Sequence, residues 1–351
     1  MASLCDLSKI KSLTLIDLKN RIQLLSQVGD DWAASGIPED IIRKAKATNP
    51  WFDEASISAA VESIATKYLS ESVLTAWAKS YNIANSDPKK VGLILAGNIP
   101  FVGIHDLISV FIAGHISLYK PSDRDTVLID FFVKSLSEKN ASANQYFSKI
   151  DRLLQYDAVI ATGSDASAKH FKKYFSKVPH IIRRNRNGVA VVYNNSSEQD
   201  MALLAEDILG YYGLGCRSVS KVYLEKGVEY GKIFEALEAH KNVINHHKYC
   251  NNYDYSYALY LLNQEEFYTN DFLIMRPHHT LTSRIACLHY EYFDSTDTLE
   301  NNLNELSEDI QCIVSDREIG KCNVIPFGSC QKPGLSDYAD RVDTLEFLSN
   351  L

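Results

Sequence analysis

One cysteine of this sequence stands in a setting that suits a catalytic nucleophile. Cys216 follows the segment Gly213-Leu214-Gly215, at the point where a helical pattern ends and a strand-like pattern begins. A side chain on such a glycine turn can face a cleft with little backbone in its way. The adjacent Arg217 is a cation, and a nearby cation favours the thiolate that attacks carbonyl carbons. We therefore hypothesise that Cys216 is a nucleophile, and a plain buried cysteine is the alternative.

The remaining cysteines and the paired histidines show no disulfide or metal pattern. The sequence has seven cysteines with irregular spacing and no Cys-x-x-Cys pair, which indicates free thiols in a reducing compartment. His246-His247 and His278-His279 have no carboxylate beside them at the spacing of metal ligands, so we predict that the chain binds no metal. A Gly-x-Ser-x-Gly elbow is absent, and a serine hydrolase is therefore unsupported.

Upstream of Cys216, a strand–helix–strand pattern predicts one unit of a parallel sheet. Residues 91–96 form a short apolar run, 101–114 an apolar helix, and 115–119 a second apolar run. Ligands of such sheets bind beyond the carboxyl ends of the strands. The turns after these two strands contain the polar residues Asn98, Lys120, Ser122, Asp123 and Arg124. The usual Gly-x-Gly-x-x-Gly dinucleotide fingerprint is absent.

A third apolar run, at 158–161, leads into a turn that suits a phosphate group. Thr162, Gly163 and Ser164 form this turn, and a helical pattern follows over 166–175. Free N–H groups and the dipole at a helix N-terminus both favour an anion. An ordinary N-cap is the alternative interpretation of the same three residues.

The whole pattern predicts an α/β protein with two main parts. Residues 1–187 are expected to form a helical flank and a doubly wound dinucleotide-binding domain, and residues 188–335 a second α/β domain that carries Cys216. Residues 336–351 are expected to form a polar C-terminal tail. Strand-like runs of the second part lie at 188–192, 222–224, 257–262, 272–275, 285–290 and 312–314.

The composition excludes several classes of protein. A formal net charge of -8 argues against a general binder of nucleic acid or membrane surfaces. The residues are 46% hydrophobic and 23% charged, which is the balance of an ordinary globular protein with a substantial core. No apolar run approaches the roughly 20 residues of a membrane span, and the N-terminus lacks the pattern of a secretion signal. We therefore expect a cytoplasmic protein without a membrane span.

Five motifs occur in the order found in the aldehyde dehydrogenase superfamily. The chain resembles this superfamily over about residues 90 to 335, and within it the acyl-CoA reductase branch that includes the fatty-acid reductases of bacterial bioluminescence. The matching segments are Ala96-Gly97-Asn98-Ile99-Pro100, Lys120-Pro121-Ser122-Asp123, Thr162-Gly163-Ser164, the stretch from Gly215 to Tyr223, and Pro326-Phe327-Gly328 with Lys332-Pro333-Gly334.

The resemblance implies roles for residues at the reacting centre. Cys216 would accept the acyl group. Asn98 would donate its side-chain amide to the developing oxyanion, together with the backbone N–H of Cys216. The turn Thr162-Gly163-Ser164 would lie beside the cofactor pyrophosphate.

The resemblance also implies how the adenosine end of a nicotinamide cofactor is held. Lys120, within the Lys-Pro-Ser-Asp segment that contains Ser122, would reach the ribose. Asp123 stands where the superfamily often has a ribose-binding Glu, and an acid there suits the free 2′-hydroxyl of NADH. Neighbouring Arg124 could offset that charge. The preference for NADPH over NADH is therefore implied mainly by the resemblance to the acyl-CoA reductase branch.

Two departures from the superfamily concern its glutamates. Hydrolytic members carry a Glu-Leu-Gly-Gly segment whose Glu activates water, whereas residues 182–188 contain no acid. Without that base, water is a poor acceptor for the acyl group, which favours exchange with a thiol followed by reduction. The Glu-x-Phe-Gly-Pro segment that holds the nicotinamide ribose is replaced by residues 280–284, again without an acid.

The resemblance then implies an acyl-CoA reductase. Its Cys216 thiolate would attack a fatty acyl-CoA, or an acyl group handed over by a partner acyl-protein synthetase, and the acyl-cysteine would be reduced with NADPH to a fatty aldehyde. A homo-oligomer is also implied. Two alternatives remain open: another acylating aldehyde dehydrogenase, acting on a short acyl-CoA or an acyl phosphate, and a non-catalytic nucleotide-binding subunit of a complex.

Overall fold

The computed structural model describes residues 15–83 and 87–351. Within these residues, four helices precede the first strand: α1 (Leu18–Ser35), α2 (Glu39–Thr48), α3 (Glu54–Lys67) and α4 (Glu71–Lys79). Asp17 and Asp53 cap α1 and α3, since each carboxylate accepts a first-turn backbone N–H. None of the helices in the described part of the chain is long and apolar enough to cross a membrane.

The first sheet has five parallel strands, in the spatial order β3-β2-β1-β4-β5. Its strands are β1 (Lys90–Ile94), β2 (Ile116–Lys120), β3 (Phe147–Lys149), β4 (Ala158–Thr162) and β5 (His180–Arg183). The connecting helices are α5 (Ile104–Ala113), α6 (Thr126–Lys139) and α7 (Asp165–Tyr174). The strand order reverses between β1 and β4, so the turns after β1, β2 and β4 meet at one edge of the sheet.

The second sheet has seven strands, in the order β12-β11-β6-β7-β10-β9-β8. Its strands are β6 (Asn187–Val192), β7 (Val219–Glu225), β8 (Tyr268–Thr269), β9 (Ile274–Pro277), β10 (Cys287–Phe293), β11 (Ile310–Val314) and β12 (Val324–Ile325). Its helices are α8 (Glu198–Leu209), α9 (Gly231–Leu237), α10 (His247–Leu262) and α11 (Thr296–Glu305). Among the strands of the described residues, only β8 and β9 pair antiparallel. The predicted fold class, an α/β protein with a doubly wound sheet and a second α/β part, is confirmed.

One predicted strand is wrong. Residues 257–262 form the last part of α10. Tyr253 and Tyr260 on this helix are buried in the core of the second sheet, whereas Tyr255 and Leu262 are exposed. Aromatic residues favour strands only weakly, so the burial of one helix face outweighs that preference.

The C-terminal segment returns to the first sheet. Its helix α12 (Thr344–Ser349) packs on α5, and Leu345 and Leu348 are buried in the core beside the first sheet. The Nε2 atom of the buried His115 donates to the Leu348 carbonyl oxygen at 2.9 Å. The apolar end of the expected C-terminal tail, residues 336–351, thus forms α12 and packs beside the first sheet.

A buried ion pair joins this returning helix to the first sheet. Arg183, at the end of β5, places its Nη1 atom 2.7 Å from Oδ2 of Asp106 on α5. Its Nη2 atom donates to the Thr344 hydroxyl at 2.8 Å. Arg184 and Arg186 form further ion pairs with nearby carboxylates. Arg183 therefore connects β5, α5 and α12.

Candidate active site

Cys216 lies on a tight turn that directly precedes β7. The turn runs from Gly215 to Ser218, and the Ser218 N–H donates to the Gly215 carbonyl oxygen at 3.0 Å. Cys216, the predicted nucleophile, and Arg217 occupy the two central positions of this segment, the nucleophile turn. The Cys216 backbone N–H has no acceptor within the described part of the chain, so it is free to bind a ligand oxygen.

The chain reaches this turn through two tyrosines in a left-handed conformation. Tyr211 and Tyr212 have φ angles of 50° and 59°, a conformation that costs about 1–3 kcal/mol for a residue other than glycine. The Tyr212 hydroxyl donates to Oδ2 of Asp53, the capping residue of α3, at 2.5 Å. The strained approach is therefore fixed by a contact with the N-terminal helices.

A cleft of about 880 Å³ brings the nucleophile together with most of the predicted site residues. It lies between the turns of the first sheet and the turn before β7. Predicted residues in its lining are Asn98, Ser122, Arg124, Thr162, Gly163, Ser164 and Cys216. The structure thus assembles in one place side chains that are more than 100 positions apart in the sequence.

Two predicted cofactor residues lie outside this lining. Lys120 is the last residue of β2, and it is exposed. Asp123 is also exposed, in the loop that leads to α6. Of this loop, Ser122 and Arg124 are the members that face the cleft.

Asn98 contacts the nucleophile turn directly. Its Nδ2 atom donates to the carbonyl oxygen of Leu214 at 2.7 Å. An amide nitrogen carries two hydrogens, so one remains for a ligand in the cleft. Asn98 therefore contacts the main chain two residues before Cys216. This position suits a side chain that donates to an oxyanion.

Burial and charge act in opposite directions on the Cys216 thiol. The residue is half-buried, and the loss of water around the sulfur raises the pKa of the Cys216 thiol above its ordinary value. The Arg217 guanidinium lowers that pKa by a smaller amount. Arg217 therefore lowers the pKa of the Cys216 thiol as expected, but desolvation of the sulfur raises this pKa by a larger amount.

The turn after β4 has the form of a phosphate-binding helix start. Ser164 caps α7, with its Oγ atom accepting the Ser167 N–H at 3.3 Å. A Cβ atom at Gly163 would lie only 2.9 Å from the Ser167 Cβ atom, so a side chain here would displace the start of α7. In the first turn, the N–H groups of Asp165 and Ala166 have no acceptor among the described residues and remain available to an anion.

Sequence patterns do not predict the residues on the side of the cleft that lies away from this turn. Ile64 and Tyr68, from α3 and the residue after it, line the cleft together with His105 of α5. Burial lowers the pKa of the His105 imidazole, so this ring is neutral at pH 7. Only long-range packing brings these helices to Cys216, and no local motif marks them.

The segment predicted to replace the nicotinamide-ribose motif lies behind the nucleophile turn. Thr282, Ser283 and Arg284 line a separate cavity of about 170 Å³, together with residues 213–215. These side chains are absent from the lining of the larger cleft. The segment therefore contacts the back of the turn.

The paired histidines do not assemble a metal site. His278 stacks on His279 and on His289, and burial lowers the pKa of His289 to about 4. In the part of the chain that the structure describes, no group of three or more His, Cys, Asp or Glu residues could hold a metal ion.

Comparison with protein families identifies this arrangement. The model of the acyl-CoA reductase (LuxC) family matches residues 16–247 of the chain. The chain belongs to the LuxC acyl-CoA reductase family. Both Asn98 and Cys216 lie within the matched residues. Membership makes the chain an oxidoreductase of acyl groups. A search of curated proteins finds no relative.

The fold of this LuxC family member is similar to solved aldehyde dehydrogenases. Aldehyde dehydrogenase 21 from Physcomitrella patens matches with a TM-score of 0.69 at 9% identity, covering 96% of this chain and 85% of that one. An oxidoreductase from Marinobacter aquaeolei matches with a TM-score of 0.63 at 11% identity, covering 88% and 75%. Lactaldehyde dehydrogenase from Escherichia coli has a TM-score of 0.60 at 13% identity, covering 85% and 74%.

Proposed function

We propose that the chain reduces a fatty acyl thioester to a fatty aldehyde, with NADPH as the electron donor. The observation that carries this proposal is the hydrogen bond from the Asn98 amide to the nucleophile turn, in the same cleft as the phosphate-binding turn. A thiol nucleophile with an adjacent amide donor is the arrangement that acyl transfer needs. Family membership supports the same class of reaction.

Acyl transfer would begin at the Cys216 sulfur. The thiolate attacks the thioester carbonyl carbon, and the original thiol leaves as its thiolate when the carbonyl re-forms. One sulfur–acyl bond replaces another, so this step needs no ATP. Two-electron reduction of the acyl carbon then releases the aldehyde and restores the Cys216 thiolate.

Two donors would stabilise the negative charge on the carbonyl oxygen during both steps. One is the second N–H of the Asn98 amide, and the other is the unpaired backbone N–H of Cys216. Loss of one such donor typically lowers the rate by ~100-fold or more.

Hydrolysis of the acyl-cysteine is disfavoured by the neighbouring segment. Arg183, Arg184 and Asn185 line the cleft at the position where hydrolytic aldehyde dehydrogenases carry their glutamate. None of these side chains can serve as a general base at neutral pH. This segment therefore supplies no base to activate water, which favours transfer and reduction of the acyl group over its hydrolysis.

The wall formed by α3 and by the turn after β1 would receive the acyl chain. Ala60, Ile64, Ile99 and Val102 present apolar surface in the cleft. Burial of such surface stabilises a complex by about 25 cal/mol per Å², which favours a fatty chain over a short acyl group.

The residues at the carboxyl edge of the first sheet fit a nicotinamide dinucleotide. Gly163 lets the turn after β4 pack closely on the start of α7, and the N-terminus of this helix supplies N–H groups for a phosphate. When bound, such a cofactor supplies the hydride for reduction. Arg124 lines the cleft whereas Asp123 does not, and this difference supports a 2′-phosphate and hence NADPH over NADH.

One observation favours a second candidate, an acyl phosphate substrate. Arg217 adjoins Cys216 in the cleft, and no carboxylate within the described residues forms an ion pair with it. Its Nη2 atom donates to the carbonyl oxygen of Asp337 at 2.6 Å. An unpaired cation beside the nucleophile would also suit a phosphate leaving group bonded directly to the acyl carbon.

The test is the oxidation of NADPH by purified protein with acyl-CoA esters of increasing chain length, an acyl phosphate, and an acyl group carried on a synthetase protein. We expect activity with long-chain thioesters. It should vanish in Cys216→Ser and fall by ~100-fold in Asn98→Ala. NADH in place of NADPH separates the two cofactors.

Matched variants control for nonspecific damage. Cys250→Ser removes another half-buried thiol, and Asn252→Ala removes an amide that donates to the Lys248 carbonyl oxygen at 2.8 Å. Both should keep full activity. Turnover of the acyl phosphate alone would replace the thioester proposal. No turnover with any donor, in a protein that still binds NADPH, would favour a non-catalytic subunit.

A further inference from the structure

A second set of residues holds the nucleophile turn from behind. The Ser218 Oγ atom accepts the Gly215 N–H at 3.2 Å, inside the turn that carries Cys216. The same Oγ atom accepts a hydrogen bond from the Nε2 atom of Gln331 at 3.0 Å. Ser218 is only 4% exposed, so water does not compete for these bonds. The Ser218 hydroxyl therefore links the turn to a distant loop.

Gln331 also packs against the backbone of the turn and of its approach. A Cβ atom at Gly215 would lie 3.4 Å from the Gln331 Oε1 atom, and one at Gly210 would lie 3.2 Å from its Cγ atom. The side chain thus lies across both glycines, at the wall of the cleft. Gln331 therefore packs against the turn at Gly215 and against its approach at Gly210.

The loop that carries Gln331 is itself fixed by a buried carboxylate. Asp207 of α8 accepts the Gly328 N–H at 2.7 Å and the Cys330 N–H at 3.0 Å. Asp207 is 1% exposed. A buried carboxylate that accepts two backbone N–H groups makes strong hydrogen bonds. The position of Gln331 is therefore set by α8.

We propose that Gln331 is a positioning residue, which holds the Gly215–Ser218 turn through the Ser218 hydroxyl so that the Cys216 N–H and sulfur face the bound acyl group. The catalytic part of this inference rests on the proposed function. Its structural part, the restraint of the turn, does not. A shift of about 1 Å at a reacting centre can lower a rate by ~100-fold.

The test compares Gln331→Ala, Gln331→Met and Ser218→Ala with the control Ser315→Ala. Ser315 is also 4% exposed, and its hydroxyl donates to the Val191 carbonyl oxygen at 3.0 Å, at the opposite ends of β11 and β6. Gln331→Met keeps the approximate volume of the side chain and removes every hydrogen bond that it could make to the Ser218 hydroxyl. If packing alone matters, this variant should behave as the wild type.

Two measurements are made on each variant. Hydrogen exchange followed by mass spectrometry reports the protection of a peptide that covers residues 210–219. Steady-state kinetics report kcat and KM for a long-chain acyl-CoA. We expect faster exchange in this peptide and a kcat lowered about 10- to 100-fold in the three test variants, with KM changed by less than threefold.

The outcomes separate this inference from the proposed function. Wild-type exchange and wild-type kcat in Gln331→Ala and Gln331→Met would overturn the positioning role. Equal loss in Ser315→Ala would also overturn it, because the effect would then be general. If the wild type shows no turnover, the proposed function fails and the exchange measurement alone decides whether Gln331 holds the turn.

Discussion

The Cys216 thiol is placed between two opposing influences. Desolvation raises the pKa of the thiol, and the adjacent Arg217 lowers it. The balance lies on the side of the neutral thiol. A nucleophile of this kind becomes more reactive as the pH rises through the pKa, since the thiolate is the attacking form.

Replacing Arg217 should therefore slow the alkylation of Cys216. We expect Arg217→Met to reduce the rate of iodoacetamide labelling near pH 7.5 by about tenfold, because loss of one nearby cation raises a thiol pKa by roughly one unit. Mass spectrometry of the Cys216 peptide over pH 6–10 measures the rate. Lys226→Met, at an exposed lysine in a different part of the fold, is the control. Equal rates in both variants would show that the charge of Arg217 does not reach the sulfur.

Asp207 should make the stability of the protein depend on pH. Burial raises the pKa of this carboxyl to about 6. The folded state then binds the proton more tightly than the unfolded state, so this contribution to stability is full below about pH 4 and is lost as the pH rises through 6. The shift corresponds to about 3 kcal/mol.

The measurement is urea unfolding between pH 4 and 7 for the wild type and Asp207→Asn. We expect the difference between their unfolding free energies to change by up to about 3 kcal/mol across this range. Parallel curves would mean that Asp207 titrates normally in the folded protein. The exposed Asp294, changed to Asn, serves as the control.

Cys216 and Asn98 could be predicted as site residues from the sequence because each stands in a glycine turn beside an apolar run. Gln331 and His105 could not be predicted in this way, because only long-range packing brings them close to Cys216. The role expected for Arg217 illustrates a different limit. Its charge can be seen in the sequence, but the larger effect of burial on the thiol depends on the fold.

At the scale of elements, the strands and helices of the first sheet follow their sequence patterns closely. Predicted runs at 91–96, 115–119 and 158–161 correspond to β1, β2 and β4, because short apolar runs bounded by turn residues have few alternative structures. The failure at 257–262 has a physical cause. The buried residues of α10 are Tyr249, Tyr253, Ser256 and Tyr260, which have helical spacing. A short apolar run such as 257–262 is compatible with a strand or with a buried helix segment.

The turn Thr162-Gly163-Ser164 is predicted to bind the cofactor phosphate, and a substitution at Gly163 tests this role. We expect Gly163→Ala to weaken NADPH binding by about tenfold, or 1.4 kcal/mol, because the new methyl group would collide with Ser167 and displace the start of α7. Fluorescence titration of NADPH measures the dissociation constant. Gly231→Ala adds the same methyl group where no atom lies within 4 Å, and it should bind NADPH normally. Unchanged binding in Gly163→Ala would remove this turn from the cofactor site.

At the scale of the whole molecule, the Arg183–Asp106 pair and α12 tie the C-terminal segment to the first sheet. Both charged side chains are at most 7% exposed. Removing one member of a buried pair leaves the other charge without a partner, which costs about 3–5 kcal/mol. Replacing both members by apolar residues is far less costly.

We therefore expect Asp106→Ala to lower the free energy of unfolding by about 3–5 kcal/mol, and Asp106→Leu combined with Arg183→Met to restore most of this loss. Urea unfolding measures both. Lys44→Ala, which breaks the exposed pair with Asp40, should cost at most about 0.5 kcal/mol. A double variant as unstable as Asp106→Ala would show that the charges themselves are required.

The return of α12 to the first sheet has a consequence during synthesis. Arg183 and its partner Thr344 are separated by 161 positions, which a ribosome needs roughly 10 to 30 s to add at about 5–20 residues per second. Throughout this interval the nascent first sheet lacks Leu345 and Leu348, and the apolar surface of α5 that they cover stays exposed to water. The second sheet is thus translated before the first one can close, and a chaperone has that interval in which to bind.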